Sequence, residues 1–116
     1  MKKYTITIGT TYNKRGERIN HLVSPLQLVD EALQQCARLF DDTLAFEGWT
    51  MVETFGNWYD NERAEWVSEK GLQIVIYSDF YPRYFKHVAR YIGQQFDQDT
   101  AVLSVEDTPE THFLKC

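Results

Sequence analysis

Apolar residues recur at every second position in four stretches of this chain and at helical spacing in two others, and the order of those periods leaves few folds open. "KKYTITIG", residues 2–9, sets Tyr4, Ile6 and Ile8 against Thr5 and Thr7, which is the pattern of a half-buried strand. Gly9 ends it, and "TTYNKRGERINH" reads as a polar loop or flap. In "SPLQLVDEALQQCARLF" Ser24 suits an N-cap, Pro25 the first helical position, and Gln27 completes a capping box; Val23 and Leu28 are placed for a hydrophobic staple. Leu26, Val29, Leu33, Cys36, Ala37 and Phe40 then share one face of the helix. "GWTMVETF" and "WVSEKGLQIVIYS" alternate again, and the short polar segment between them, bearing Trp58 and Tyr59, predicts a hairpin turn. Gly71, inside the second strand, marks a bulge or a close backbone approach. After Pro82, the residues Phe85, Val88, Ala89, Ile92 and Phe96 form a second helical stripe, and "TAVLSVED" closes with a strand. The tail, 107–116, adds an edge segment or stays mobile.

The order β-α-β-β-α-β predicts an α+β, ferredoxin-like domain spanning residues 1–116: four antiparallel strands with both helices on one face. The other face is left bare. Its alternate positions, Thr50, Val52, Val75, Tyr77 and Val102, are apolar enough to want a cover, which predicts a homo-oligomer, most simply a dimer.

Composition narrows the partners. Aromatics make up 15% of the 116 residues, more than a minimal core needs, and the surplus thickens the core or covers an interface. A net charge of −5 opposes general nucleic-acid binding, since phosphate contacts need surplus Lys and Arg. The two cysteines, Cys36 and Cys116, form neither a disulfide framework nor a C-x-x-C motif. No apolar run reaches a membrane span and the N-terminus alternates at once, so the expected setting is cytoplasmic.

Few residues stand out chemically. Trp58 and Tyr59 either plug a corner of the sheet or offer a stacking platform to a planar ligand. Glu69 lies in a strand turning hydrophobic, so it calls for a partner such as Arg63, Arg83 or Arg90; otherwise it binds ligand hydroxyls or acts as a general base. Gln98, at the end of the second helix, caps carbonyls or reaches a ligand edge. Tyr84, His87 and Tyr91 share one flank of that helix with Arg83 and Arg90 nearby, a solvated or subunit-facing flank that is also able to hold an anion. His21, His87 and His112 lack any metal-ligand spacing, and no nucleophile elbow, Walker loop or dinucleotide fingerprint occurs.

Three segments carry a family resemblance. Gly48-Trp49-Thr50-Met51-Val52 with Gly56-Asn57-Trp58, then Glu69 ahead of "LQIVI", then "FDQDTAVL" at 96–103 resemble a small bacterial and phage domain family of unknown function. Its segments read glycine-aromatic-Thr-aliphatic-aliphatic with Gly-Gln-Trp, a glutamate in the same place, and Phe-x-Gln-Glu-Ser-x-Val. Asn57, Lys70-Gly71 and Asp99-Thr100 depart from that pattern. The resemblance covers most of the chain and implies the fold derived above, with no mechanism.

The residues therefore point first to a non-catalytic binding oligomer without cofactor or metal. It takes a small nucleotide-like ligand or a protein partner, in the manner of a phage-encoded inhibitor of host defence, through Trp58, Tyr59, Glu69, Gln98, Arg83, His87 and Arg90. The alternatives are a cofactor-independent enzyme of the dimeric α+β-barrel kind, with Glu69 or His87 moving the proton, and a structural subunit of a larger assembly.

Overall fold

Each alternating segment becomes a strand and each helical stripe a helix in the structure, a computed structural model that describes residues 1–107 and 110–115. The elements are β1 (Lys2–Gly9), α1 (Pro25–Ala37), β2 (Thr50–Asp60), β3 (Glu65–Ser78), α2 (Pro82–Gln95) and β4 (Val102–Asp107). All pairings are antiparallel, in the order β2-β3-β1-β4. This is the ferredoxin-like arrangement. Among the described residues, no helix is long and apolar enough to cross a membrane.

The core lies between one sheet face and the two helices. Tyr4, Ile6 and Ile8 pair across with Ile76, Ile74 and Leu72, and all six are buried beneath Val29 and Leu33 of α1 and Phe85, Val88 and Ile92 of α2. Tyr4 stacks on Phe85 with ring centroids 3.8 Å apart, and its hydroxyl donates to the Phe80 carbonyl at 2.8 Å. Burying each such side chain stabilises the fold by about 1.5–3 kcal/mol. The register places Thr50, Val52, Val75, Tyr77 and Val102 together on the opposite face, beside Thr5, Thr7 and Gln73. Neither helix covers them: Val52, Tyr77 and Val102 are exposed.

Several local expectations need correction. Helix α1 stops at Ala37, and Phe40 is fully exposed at the tip of a tight turn. That turn has its own chemistry: Asp41 Oδ1 accepts from Thr43 N, Asp42 takes φ 61°, and Arg38 bridges Leu44. Leu26 also stays exposed. Ser24 Oγ accepts from Gln27 N at 3.1 Å as an N-cap should, yet the Gln27 amide turns to Glu31 and Val23 stays in solvent, so neither capping box nor staple closes. Ala45 and Phe46 enter the core from the following loop, fixed by Ser78 Oγ donating to the Ala45 carbonyl at 2.6 Å. Tail residues 110–115 form no strand, and the Phe113 ring meets Tyr77 edge-on at 5.8 Å; Thr108, Pro109 and Cys116 lie outside the described residues.

The largest departure is the hairpin. Strands β2 and β3 continue to pair from Phe55↔Lys70 to Asp60↔Glu65, past the point where β1 ends opposite Gly71. The turn is only Asn61 to Ala64, tightened by Asp60 Oδ1 accepting from Glu62 N and Arg63 N. Trp58 and Tyr59 therefore sit in a strand, not in the turn. Cross-strand aromatic packing extends the ladder, with Tyr59 and Trp66 directly opposite and their rings 5.3 Å apart.

Candidate functional site

The two-residue period sends neighbours on this arm to opposite faces. Gly56, Trp58, Val67 and Glu69 lie on the open face of the sheet, while Tyr59 and Trp66 lie on the other. Trp58 and Glu69 are diagonal neighbours, and the indole Nε1 donates to Glu69 Oε2 at 3.2 Å. The indole remains 43% exposed. It is neither core nor corner plug. It is a strand residue whose edge is held and whose remaining surface is partly free.

Two glycines flank this carboxylate. Gly56 lies directly across β2 from Glu69, and a Cβ there would meet nothing within 4 Å. On the β1 side, a Cβ at Gly9 would lie 2.7 Å from Glu69 Cδ and 2.9 Å from Oε2. Gly71 serves the backbone instead, since a Cβ there would collide with the Ile8 carbonyl oxygen. The pairing through Gly71 is unbroken, so its meaning is close approach rather than a bulge.

The polar segment after β1 closes over the carboxylate as a strap. Thr11 N and Tyr12 N both donate to Glu69 Oε1, at 3.3 and 3.2 Å. Behind the strap, Gln98 Nε2 donates to the Tyr12 carbonyl at 2.5 Å and the Phe96 carbonyl at 3.0 Å, and Lys14 N donates to the Asp97 carbonyl at 2.7 Å. His21 Nε2 meets the Thr10 carbonyl at 2.6 Å. Two consecutive backbone N–H groups and an indole N–H thus converge on one side chain, a nest with the carboxylate as its anion.

The arginine partners expected for Glu69 are not there. Arg63 pairs with Asp60 at 3.7 Å, and Arg83 and Arg90 make no ion pair with any described residue. Neutral N–H donors hold the carboxylate instead, which leaves the negative charge uncancelled by any ion pair among the described residues. A carboxylate has about four lone-pair positions. Among the described residues, two bonds at Oε1 and one at Oε2 leave one position on Oε2 open.

Beside Glu69, a cleft of about 580 Å³ separates the strap from the end of the arm, lined in part by Tyr12, Lys14, Arg15, Trp58 and Arg63. Its cations are each paired at the surface: Lys14 with Asp97, Arg15 with Glu17, Arg63 with Asp60. Among the described residues, no group of three or more His, Cys, Asp or Glu side chains is placed to hold a metal.

Of the seven residues singled out from the sequence, Trp58, Glu69 and Gln98 come together through Tyr12. Tyr59 faces the other way. Arg83, His87 and Arg90 are exposed on α2, across the sheet from Glu69. The α2 flank also has a structural role: Tyr84 donates its hydroxyl to the Cys36 carbonyl, and Tyr91 donates to Gln35 Oε1 at 3.1 Å, tying α2 to α1. Gly9, Thr11 and Tyr12 carry no signal in the sequence, because what makes them matter is register with Glu69 rather than any local motif.

No family model matches this chain, and no curated protein does. Solved structures do. A phage SAM lyase in complex with S-methyl-5'-thioadenosine aligns over 91% of this chain and 80% of its own, with a TM-score of 0.58 at 13% identity. CutA from Pyrococcus horikoshii aligns over 97% and 88%, with a TM-score of 0.58 at 9% identity. A GlnK–ATP complex from B. subtilis aligns over 90% and 79%, with a TM-score of 0.50 at 13% identity. At these identities the likeness is one of fold: this chain has the α+β architecture that those proteins share.

Proposed function

We propose that this protein is a binding oligomer whose ligand is an adenine nucleoside or nucleotide, taken at the Trp58–Glu69 hollow on the open sheet face. The observation that carries the reading is the carboxylate itself. Glu69 is fixed by three N–H groups, flanked by Gly9 and Gly56, and keeps one acceptor position free next to a half-exposed indole. A ribose hydroxyl or an exocyclic amine supplies the matching donor, and a base supplies a π face for the indole. Two of the fold neighbours support the class, one being a complex with S-methyl-5'-thioadenosine and the other with ATP.

One copy offers a single free lone pair and one aromatic surface. A second copy over Thr50, Val52, Val75, Tyr77 and Val102 would cover the bare face and close the hollow, and a homodimer is the simplest such assembly. The phage source of one neighbour supports a phage-encoded chain acting in the host cytoplasm, where capture of a signalling nucleotide would blunt a defence response.

Titration calorimetry with adenosine, S-methyl-5'-thioadenosine, ATP and guanosine tests the reading. Stacking on an aromatic residue is worth about 1–3 kcal/mol, so Trp58→Ala should weaken binding roughly 5- to 150-fold. No heat from any adenine compound at millimolar concentration would end the proposal.

A second reading makes the same site catalytic. The phage SAM lyase favours it, because Glu69 is a carboxylate held beside Trp58 and is a candidate general base, next to a cleft that Asp60, Glu62 and Glu65 also line. Incubation with S-adenosylmethionine followed by chromatography separates the two: accumulation of S-methyl-5'-thioadenosine that disappears in Glu69→Gln selects the enzyme.

A further inference from the structure

We infer that Gln98 is a positioning residue, which sets the orientation of Glu69 through Tyr12 without touching the ligand. The inference rests on the reading of Glu69 and Trp58 as ligand contacts and concerns what holds them in place. Tyr12 is gripped at both ends: its N–H donates to Glu69 Oε1 at 3.2 Å and its carbonyl accepts from Gln98 Nε2 at 2.5 Å. A shift of Tyr12 therefore moves the donor that fixes Glu69, and through Glu69 Oε2 the indole of Trp58.

Gln98 is itself anchored. Its own N–H donates to the Gly93 carbonyl at 3.0 Å as α2 ends, and Asp97 before it adopts φ 50°. The end of the helix thus aims the carboxamide at the strap. The chemistry also needs this side-chain type. Nε2 faces two carbonyl oxygens, Tyr12 at 2.5 Å and Phe96 at 3.0 Å, so the group there must offer two hydrogens. A carboxamide nitrogen does; a carboxylate of the same shape would set a third oxygen against the other two. The strap is also fixed on the far side, where Thr11 Oγ1 accepts from Lys70 N at 3.0 Å. Loss of Gln98 should therefore loosen Tyr12 without unravelling the whole segment.

The test uses ¹H–¹⁵N spectra of the intact chain, with Gln98→Met removing the donors at similar length and Gln98→Asn withdrawing them by one methylene. Each variant should speed amide exchange at Thr11 and Tyr12 by about tenfold or more, because local opening sets exchange. It should also move the Trp58 indole resonance. The Trp49 indole, which donates to Asp30 Oδ1 at 2.9 Å, should stay where it is. Adenosine affinity should fall in parallel. If a folded variant leaves Thr11, Tyr12 and Trp58 unchanged while its thermal midpoint drops, Gln98 only caps α2 and the inference is overturned. The spectra need no ligand, so failure of the nucleoside reading would show in calorimetry alone, and the relay would still be decided.

Discussion

Replacing Gly9 by Ala isolates the coupling between the β1 terminus and Glu69. The new methyl would lie 2.7 Å from Glu69 Cδ and 2.9 Å from Oε2, well inside contact distance. What it strikes is the end of a flexible side chain, so the carboxylate should swing away while the sheet keeps its register. That movement breaks the bonds from Thr11 N, Tyr12 N and Trp58 Nε1. Hydrogen bonds to charged groups contribute roughly 1.5–3 kcal/mol when buried. Here water can replace the lost partners, and about 0.5–1 kcal/mol per bond is the fitting discount. Against that total, Gly→Ala restricts the unfolded chain and returns about 0.4–1 kcal/mol. The net loss should be about 1–2 kcal/mol, which at this chain length lowers the thermal midpoint by about 4–8 °C. Thermal unfolding followed by circular dichroism measures it. The decisive control is the same substitution in a Glu69→Ala background, where the clash has no target and Gly9→Ala should become neutral or slightly stabilising. Equal destabilisation in both backgrounds would place the strain in the backbone and refute the coupling.

Gly71→Ala should be much worse than Gly9→Ala, by about 3 kcal/mol or more, because its methyl meets the Ile8 carbonyl of a neighbouring strand, which cannot rotate away; chemical denaturation will show whether the order holds. Phe85→Ala removes the fully buried ring stacked on Tyr4 and should cost about 3–5 kcal/mol, read in the same experiment. Burial pushes the phenols of Tyr4 and Tyr84 above their ordinary value, with Cys36 adding to the shift at Tyr84. The folded chain then keeps protons that the unfolded chain releases above about pH 10. Stability should be at its full value below that pH and fall as pH rises toward the folded values, and Tyr84→Phe should flatten the alkaline limb of a stability–pH curve.

The fold was legible because period and order act over whole segments. Ile6, Ile74 and Ile76 announce their face by alternation, Phe85 through Phe96 by helical spacing, and the bare face follows from the same register. The misses share a cause. Phe40 sits at the right spacing to extend α1, but Asp41 and Asp42 make a local turn whose side-chain bond wins over one more apolar contact. Trp58 reads as a turn residue because Asn57, Asp60 and Asn61 surround it. In the structure, cross-strand pairing carries the ladder past it. An arginine is the natural partner to expect for Glu69, since a buried charge suggests an opposite one. Backbone N–H groups leave no trace in a sequence, so Thr11 and Tyr12 gave no signal of their own.

On the proposed reading, the arrangement around Glu69 serves reception rather than stability. A salt bridge would have satisfied the carboxylate with charge and left little for a guest. Three neutral donors fix its position while leaving its charge in place, and they approach from the strap and from the indole, so the free lone pair on Oε2 has a defined direction. The cations of the adjoining cleft are already paired, which argues against a site whose affinity comes mainly from phosphate. Selectivity should then reside in the hydroxyls and the base, with adenosine losing little relative to ATP. The glycines at 9 and 56 complete the logic. A Cβ at Gly9 would strike the carboxylate itself, while one at Gly56 would meet nothing within 4 Å, and the fold needs neither glycine for a left-handed backbone, since among the described glycines only Gly16 has positive φ. Gly9 lets the Glu69 carboxylate lie against the end of β1, and Gly56 leaves the position across from it on β2 open.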